Sequence, residues 1–207
     1  MAAAIAGCAA TPVQSYPAKR EARLALYART KACCDDPSTF TYRPLPERGF
    51  IDAAIDRASP IFEFHSGLSP FVAFELPNVS TPYRLRVKSF FDANHDDKTS
   101  VFYPVVALLD ETFIVLRMSG LDNLRLEPAL ATPGGESGLS VTLPIDDAEE
   151  KARYLIVFTP AAVLGATPER REDDLLTPAA LAWLDRRGDL ALPSSPYGRL
   201  RITIAPE

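Results

Sequence analysis

No stretch of this chain is long and apolar enough to cross a bilayer as a helix, which takes about 20 residues, so membrane association is expected through an anchor and not a span. Histidine is scarce. His65 and His95 are the only two, and neither has a nucleophile motif beside it. Gly-x-Ser-x-Gly is absent, and so are the glycine loops that cradle phosphate; Gly134-Gly135 reads as a turn. A glycosidase needs two carboxylates facing a cleft, a pairing that sequence does not reveal. The expectation is therefore a protein that is not an enzyme, with no cofactor and no metal. Positive charge is also in deficit. Lys and Arg number 22 against 27 Asp and Glu, a formal net charge of -5. That argues against a nucleic-acid partner, which usually needs a concentrated basic surface.

What is abundant is proline, with 19 residues. Proline breaks helices and sits at turns and strand edges, so its abundance favours an all-β chain with many loops. At 47% hydrophobic and 24% charged, the 207 residues suffice for one ordinary globular core. The expected organisation is a signal remnant and tether over residues 1–17, a helix and Pro-rich linker over 18–49, and a β domain over 50–207.

The N-terminus carries Ile5-Ala6-Gly7-Cys8, which resembles a lipobox: a branched apolar residue, two small ones, then cysteine. The small residues let a peptidase take the extended backbone, and the Cys8 thiol receives lipid. Three acyl chains on Cys8 hold a protein firmly, since two already give stable anchoring. Ala9 follows where Asp signals inner-membrane retention, which implies the outer membrane. Only seven residues precede Cys8 and none is basic, whereas a signal peptide has a basic start and a 7–15-residue apolar segment. The alternative is an Ala-rich terminus carrying an incidental cysteine.

Residues 18–31 read as a helix, rich in Ala, Leu, Lys, Arg and Glu, with Leu24, Tyr27 and Ala28 on one stripe. From Phe50 onward short strands alternate with turns. Phe62 and Phe64 alternate with Glu63 and His65. Tyr83, Leu85 and Val87 alternate with Arg84, Arg86 and Lys88, and Leu200, Ile202 and Ile204 with Arg199, Arg201 and Thr203. Residues 101–109 and 112–118 are expected to be strands joined by a tight Asp110-Glu111 turn, and the apolar 154–158 a central strand. A second, short helix is expected over 177–188, from Thr177 as N-cap and Pro178 as first residue to Gly188 as stop, with Trp183 packing it down. The sum predicts a mostly β, jelly-roll-like sandwich with an N-terminal helix and one short helix near the C-terminus.

Three constellations invite chemistry. Cys33 and Cys34 are adjacent, with Cα atoms about 3.8 Å apart, under the usual disulfide range of about 4.4–6.8 Å. They are read as a vicinal disulfide, as reduced thiols under the helix, or as intermolecular bridges. A clasp is expected over redox catalysis, because Cys-x-x-Cys spacing is absent. Asp92, Asn94 and Asp96 mimic the opening of a calcium loop, but Asp97 stands where Gly belongs and Tyr103 where the bidentate Glu belongs; a solvated loop is expected. Arg84, Arg86 and Lys88 share one strand face and Arg199 and Arg201 another. If those strands are neighbours, they make a positive patch for anionic lipid, cell wall or a partner; the other reading is a solvated sheet face.

A resemblance is carried by residues 69–77 (Ser69-Pro70-Phe71-Val72-Ala73-Phe74-Glu75-Leu76-Pro77), by Ser100-Val101-Phe102-Tyr103-Pro104 leading to Asp110, by Arg153-Tyr154-Leu155-Ile156-Val157-Phe158-Thr159 and by Gly198-Arg199-Leu200-Arg201-Ile202. Together they resemble the maltose operon periplasmic protein family, MalM, over roughly residues 41–207. Residues 165–189 and the lipobox depart from the family's pattern. The resemblance implies a periplasmic accessory protein of carbohydrate uptake and offers no catalytic residues. An oligosaccharide site is expected to use exposed aromatics with nearby carboxylates, and Tyr42, Tyr103 and Asp110 are the candidates. The alternative is a structural module that binds an envelope partner and no sugar.

Overall fold

Alternating side chains give each strand an inner and an outer face, and the inner faces of two sheets close on each other. The computed structural model describes residues 30–93, 99–129, 136–146, 151–165 and 194–206. The first sheet runs β1 (Arg43–Pro44), β4 (Gly67–Glu75), β12 (Tyr154–Phe158), β8 (Val105–Leu109) and β9 (Val115–Met118), with β3 (Ile61–Phe64) paired to β4 as well. The second runs β10 (Arg125–Glu127), β11 (Gly138–Ile145), β5 (Tyr83–Phe90), β13 (Gly198–Pro206) and β2 (Gly49–Ile55). β6 (Asp92–Ala93) and β7 (Thr99–Ser100) make a separate two-stranded ribbon. The principal strands stand in the order β2-β13-β5-β11 in one sheet and β4-β12-β8-β9 in the other. The chain passes back and forth between sheets, which is the strand order of a jelly roll.

The sandwich core lies between the sheets. Phe74, Val106, Leu108, Leu155 and Val157 from the first sheet meet Leu85, Val87, Leu139, Val141, Leu200 and Ile202 from the second. The second sheet is polar outside, as its period-two pattern predicts. The first is apolar on both faces. Phe71, Ala73, Val105, Ala107, Leu109, Ile156 and Phe158 point outward and form a second cluster of their own. This explains the unbroken apolar run of β12: it lies between β4 and β8 and is covered on both sides.

Something must cover that outer face, and residues 33–45 do. Asp36 caps a 3-10 turn over Pro37–Thr39, accepting from the Ser38 amide at 2.8 Å. Phe40 follows, 7% exposed in the outer cluster, and Leu45, 6% exposed, enters the core between the sheets. β1 pairs in parallel with β4. The segment is extended, as its prolines require, and it is packed.

Among the described residues the only α-helical piece is α1, Ala161–Gly165, five residues long, and none is long and apolar enough to cross a membrane. Neither expected helix is part of the described fold. Residues 18–29 of the first lie outside the described residues, Thr30 and Lys31 are not helical, and residues 177–188 lie wholly outside. Cys8, Trp183, positions 94–98 of the acidic loop and Gly134-Gly135 also lie outside them.

Candidate functional site

The hairpin joining β8 and β9 builds the most distinctive surface. Asp110 opens it. Its carboxylate accepts from the Thr112 amide at 2.8 Å, the Thr112 hydroxyl at 2.7 Å and the Ile114 amide at 3.0 Å. The Thr112 hydroxyl bond and these amides hold the Asp110 carboxyl below its ordinary range. The Phe113 amide returns to the Asp110 carbonyl at 3.0 Å, and the Asp110 amide to the Ile114 carbonyl at 3.0 Å. This is a three-residue loop closed by a left-handed residue, and that residue is Phe113, at φ 64°.

The turn delivers the Phe113 ring onto Tyr154, stacked at 4.7 Å between centroids and 14° between planes. Tyr42, brought over by the strap after Phe40, packs on Tyr154 at 4.4 Å and on Phe113 at 5.9 Å. All three rings are half-buried. The Tyr42 hydroxyl donates to the Pro37 carbonyl at 3.0 Å. Burial first, then Tyr154 and Asp36, push its phenol up to about 12. Glu75 is exposed directly opposite Tyr154 in the sheet register, and exposed Asp36 lies beside Tyr42. The result is a partly open three-ring platform with carboxylates at its rim. Aromatic faces of this kind cover apolar C–H surface, and the rim oxygens accept from hydroxyl groups.

The other end of the outer cluster is closed. Phe40 packs on Phe71 at 4.3 Å and Phe62 at 4.9 Å, and Phe64 stacks on Phe158 at 3.9 Å. Cys33 and Cys34 form a vicinal disulfide against it. Cys34 packs on the aromatic cluster and the Cys33 amide donates to Ile61 of β3 at 2.7 Å. The pair is a clasp on the strap.

Of the three residues expected at a ligand, the structure brings Tyr42 and Asp110 to the platform, one as a ring and the other as the turn that holds a ring. Tyr103 does not reach the surface. Residues 101–104 are all buried as they pass into β8, and Tyr103 is 8% exposed in the core between the sheets. It offers no face to a ligand. Phe113 and Tyr154 were missed. The Asp110-Glu111 turn signal pointed at the hairpin, but nothing in the pattern marked Phe113 as its left-handed residue.

The expected positive patch is also altered. β5 and β13 are neighbours, with Arg201 opposite Lys88, but the charges are interleaved. Glu127 takes Arg86 through both oxygens, Nε at 3.0 Å, and Lys88 at 3.1 Å, and accepts from the Ser140 hydroxyl at 2.6 Å. Arg201 forks onto Asp52 at 2.7 and 2.9 Å, and Arg199 reaches Glu136 at 3.1 Å. Lys88, Arg199 and Arg201 also lie over the Phe90 ring at 5.2–5.6 Å, leaving it 8% exposed on the outer face of its sheet. Glu127, Asp52 and Glu136 thus tie up Arg86, Lys88, Arg199 and Arg201, and the face is a mixed-charge network. Among the described residues no group of three or more His, Cys, Asp or Glu is arranged to hold a metal ion.

One comparison with known proteins is decisive. The family model described as maltose operon periplasmic protein precursor (MalM) matches residues 66–174, which is 174 − 66 + 1 = 109 of 207 residues. The chain belongs to the MalM family. No curated protein and no solved structure matches it. MalM membership makes this a periplasmic, maltose-operon-associated protein, in an oxidising compartment where the Cys33–Cys34 bond persists. The match spans Phe113, Tyr154 and Glu75, and leaves Tyr42 outside it.

Proposed function

We propose that this MalM protein is a non-enzymatic accessory of maltodextrin uptake that binds oligosaccharide on the Tyr42–Phe113–Tyr154 platform, tethered to the outer membrane through lipidated Cys8. The observation that carries the reading is the platform itself: three half-exposed rings, one held there by an unfavourable backbone conformation, in a member of a maltose-operon family. A pyranose presents C–H faces that suit aromatic stacking and hydroxyls that suit the carboxylate rim. Calorimetry of the whole protein against maltodextrins tests it. Binding that Tyr154→Ala weakens about tenfold, the loss of about 1.4 kcal/mol of stacking, supports it; no heat with any glucan refutes it. Mass spectrometry of the native protein tests the anchor. Acyl chains on an N-terminal Cys8 are expected, and an unmodified Met1 terminus removes the tether.

A second reading is an interaction module, favoured by β9. It is an edge strand of the first sheet among the described residues. Ile114, Val115, Leu116 and Met118 are 63%, 55%, 39% and 59% exposed, where edge strands ordinarily carry charge or proline. An extended apolar segment of an envelope transport protein would pair there. Crosslinking in intact cells from position 116 is expected to capture that partner; recovery of monomer alone counts against it.

A further inference from the structure

At the end of the sandwich next to the platform lies a polar cleft of about 340 Å³. The loop between β4 and β5, from Pro77 to Thr81, lines it together with Tyr83, Ile145, Ala152 and Arg153. We propose that this cleft is a hydrogen-bonding subsite for a further sugar unit of the oligosaccharide whose first two rings lie across the platform, so that the ligand is a linear glucan longer than a disaccharide. The proposal rests on the sugar-binding reading of the platform.

Four observations carry it. The cleft and the platform share consecutive residues: Arg153 lines one and Tyr154 belongs to the other, with Cα atoms about 3.8 Å apart. Arg153 is fixed in place, its amide donating to Leu109 at 2.7 Å and its carbonyl accepting from Leu76 at 2.8 Å, and β12 begins at the next residue. A chain leaving the platform therefore reaches the cleft by turning over the end of the sheet. The lining chemistry is that of a polyol site. Asn78 and Ser80, both exposed, each donate and accept, as sugar hydroxyls do, and the Arg153 guanidinium, which donates through Nη1 to the Ala152 carbonyl at 3.1 Å, lies beside them. Its size sits at the small end of ligand pockets, about 300–1,000 Å³, so it takes a short unit and a longer ligand must continue outside. Finally, the loop is pre-shaped. Pro77 fixes its own φ and the Val79 amide closes onto the Pro77 carbonyl at 3.0 Å, which lowers the ordering cost of binding. An anion would also find hydrogen bonds here, but Arg153 is the single charged lining residue and the chain carries a net charge of -5, which disfavours one.

The test is calorimetry of the full chain against maltose and a series of longer maltodextrins, with inorganic phosphate as a separate titrant. Native protein is expected to bind the longer glucans about tenfold more tightly than maltose, the yield of one or two well-made hydrogen bonds. The double variant Asn78→Ala, Ser80→Ala, both exposed positions, is expected to lose that gain and to bind maltose as the native protein does. Tyr154→Ala weakens every length. If the double variant keeps the native length dependence, or if affinity does not rise beyond maltose, the subsite is overturned while the platform stands. If phosphate binds and the double variant abolishes that binding, the cleft is an anion site and the subsite falls. If no glucan binds at all, the platform reading falls and the subsite with it.

Discussion

Phe113 occupies a left-handed conformation, φ 64°, in a hairpin loop where glycine is the usual resident. For a bulky residue that conformation costs roughly 1–2 kcal/mol, and what offsets it is the stack on Tyr154 and contact with Tyr42. Replacing Phe113 separates the two effects. Phe113→Ala loses ring contacts and keeps the strained backbone. Phe113→Gly loses the same contacts and relieves it. Urea denaturation is expected to show both variants less stable than native, with Gly about 1 kcal/mol more stable than Ala, the reverse of their ordinary order in a strand or helix. Equal stabilities would show that the backbone there is not left-handed. Both variants are expected to weaken glucan binding on the platform alike.

At the scale of the element, β11 and β5 approach more closely at Gly138 than any side chain allows. A Cβ there meets the Ser89 carbonyl oxygen, with the Lys88 Cε at 3.2 Å beyond it. The obstacle is backbone and does not swing away. Gly138→Ala is expected to cost about 1–3 kcal/mol through overpacking, measured by thermal or urea melts. β9 predicts the opposite behaviour. Its exposed residues touch little, so Leu116→Lys is expected to change stability by no more than about 0.5 kcal/mol. It is also expected to reduce association at high concentration, read by light scattering. The strand nature of residues 115–118 follows from the amino-acid pattern. The close approach at Gly138 does not, because it depends on which strand lies alongside.

Across the whole molecule, pH acts through ties that cross between elements. Glu127 joins β10 to β5 and β11. Burial pushes its carboxyl up, but Arg86, Ser140 and Lys88 together outweigh that and leave it below its ordinary value. Asp52, joined to Arg201, is likewise held low, the Arg201 hydrogen bond being the main cause. A depressed carboxylate stabilises the fold above its unfolded value, about 4, and that contribution is lost as pH falls through the folded value. Glu127→Gln is therefore expected to lower stability at neutral pH and to flatten the acid limb of a stability-versus-pH curve. Tyr42 acts at the other extreme. Its phenol is raised to about 12 from 10.0, so its stabilisation is complete below pH 10 and declines as pH rises toward 12. Tyr42→Phe is expected to make the alkaline limb shallower.

The period-two runs of β5 and β13 and the apolar run of β12 placed those strands from the chain alone, because alternation is a local property that each strand carries in its own residues. The order of motifs from Ser69 to Thr159 likewise marked the MalM family. What lay beyond local reading were the relations between distant segments. Nothing local distinguishes Tyr103, buried between the sheets, from Tyr42, which packs at the surface; only the passage of residues 101–104 into the core separates them. Nothing in Arg86 or Lys88 announces Glu127, 41 positions from Arg86, which turns a row of cations into a mixed-charge network. Phe113, Tyr154 and Tyr42 come from three separate parts of the chain, and their meeting was decided by sheet pairing. Burial and charge pairing are set by long-range packing, so the sequence by itself determined the strands and the family, and the tertiary structure decided which residues face a ligand.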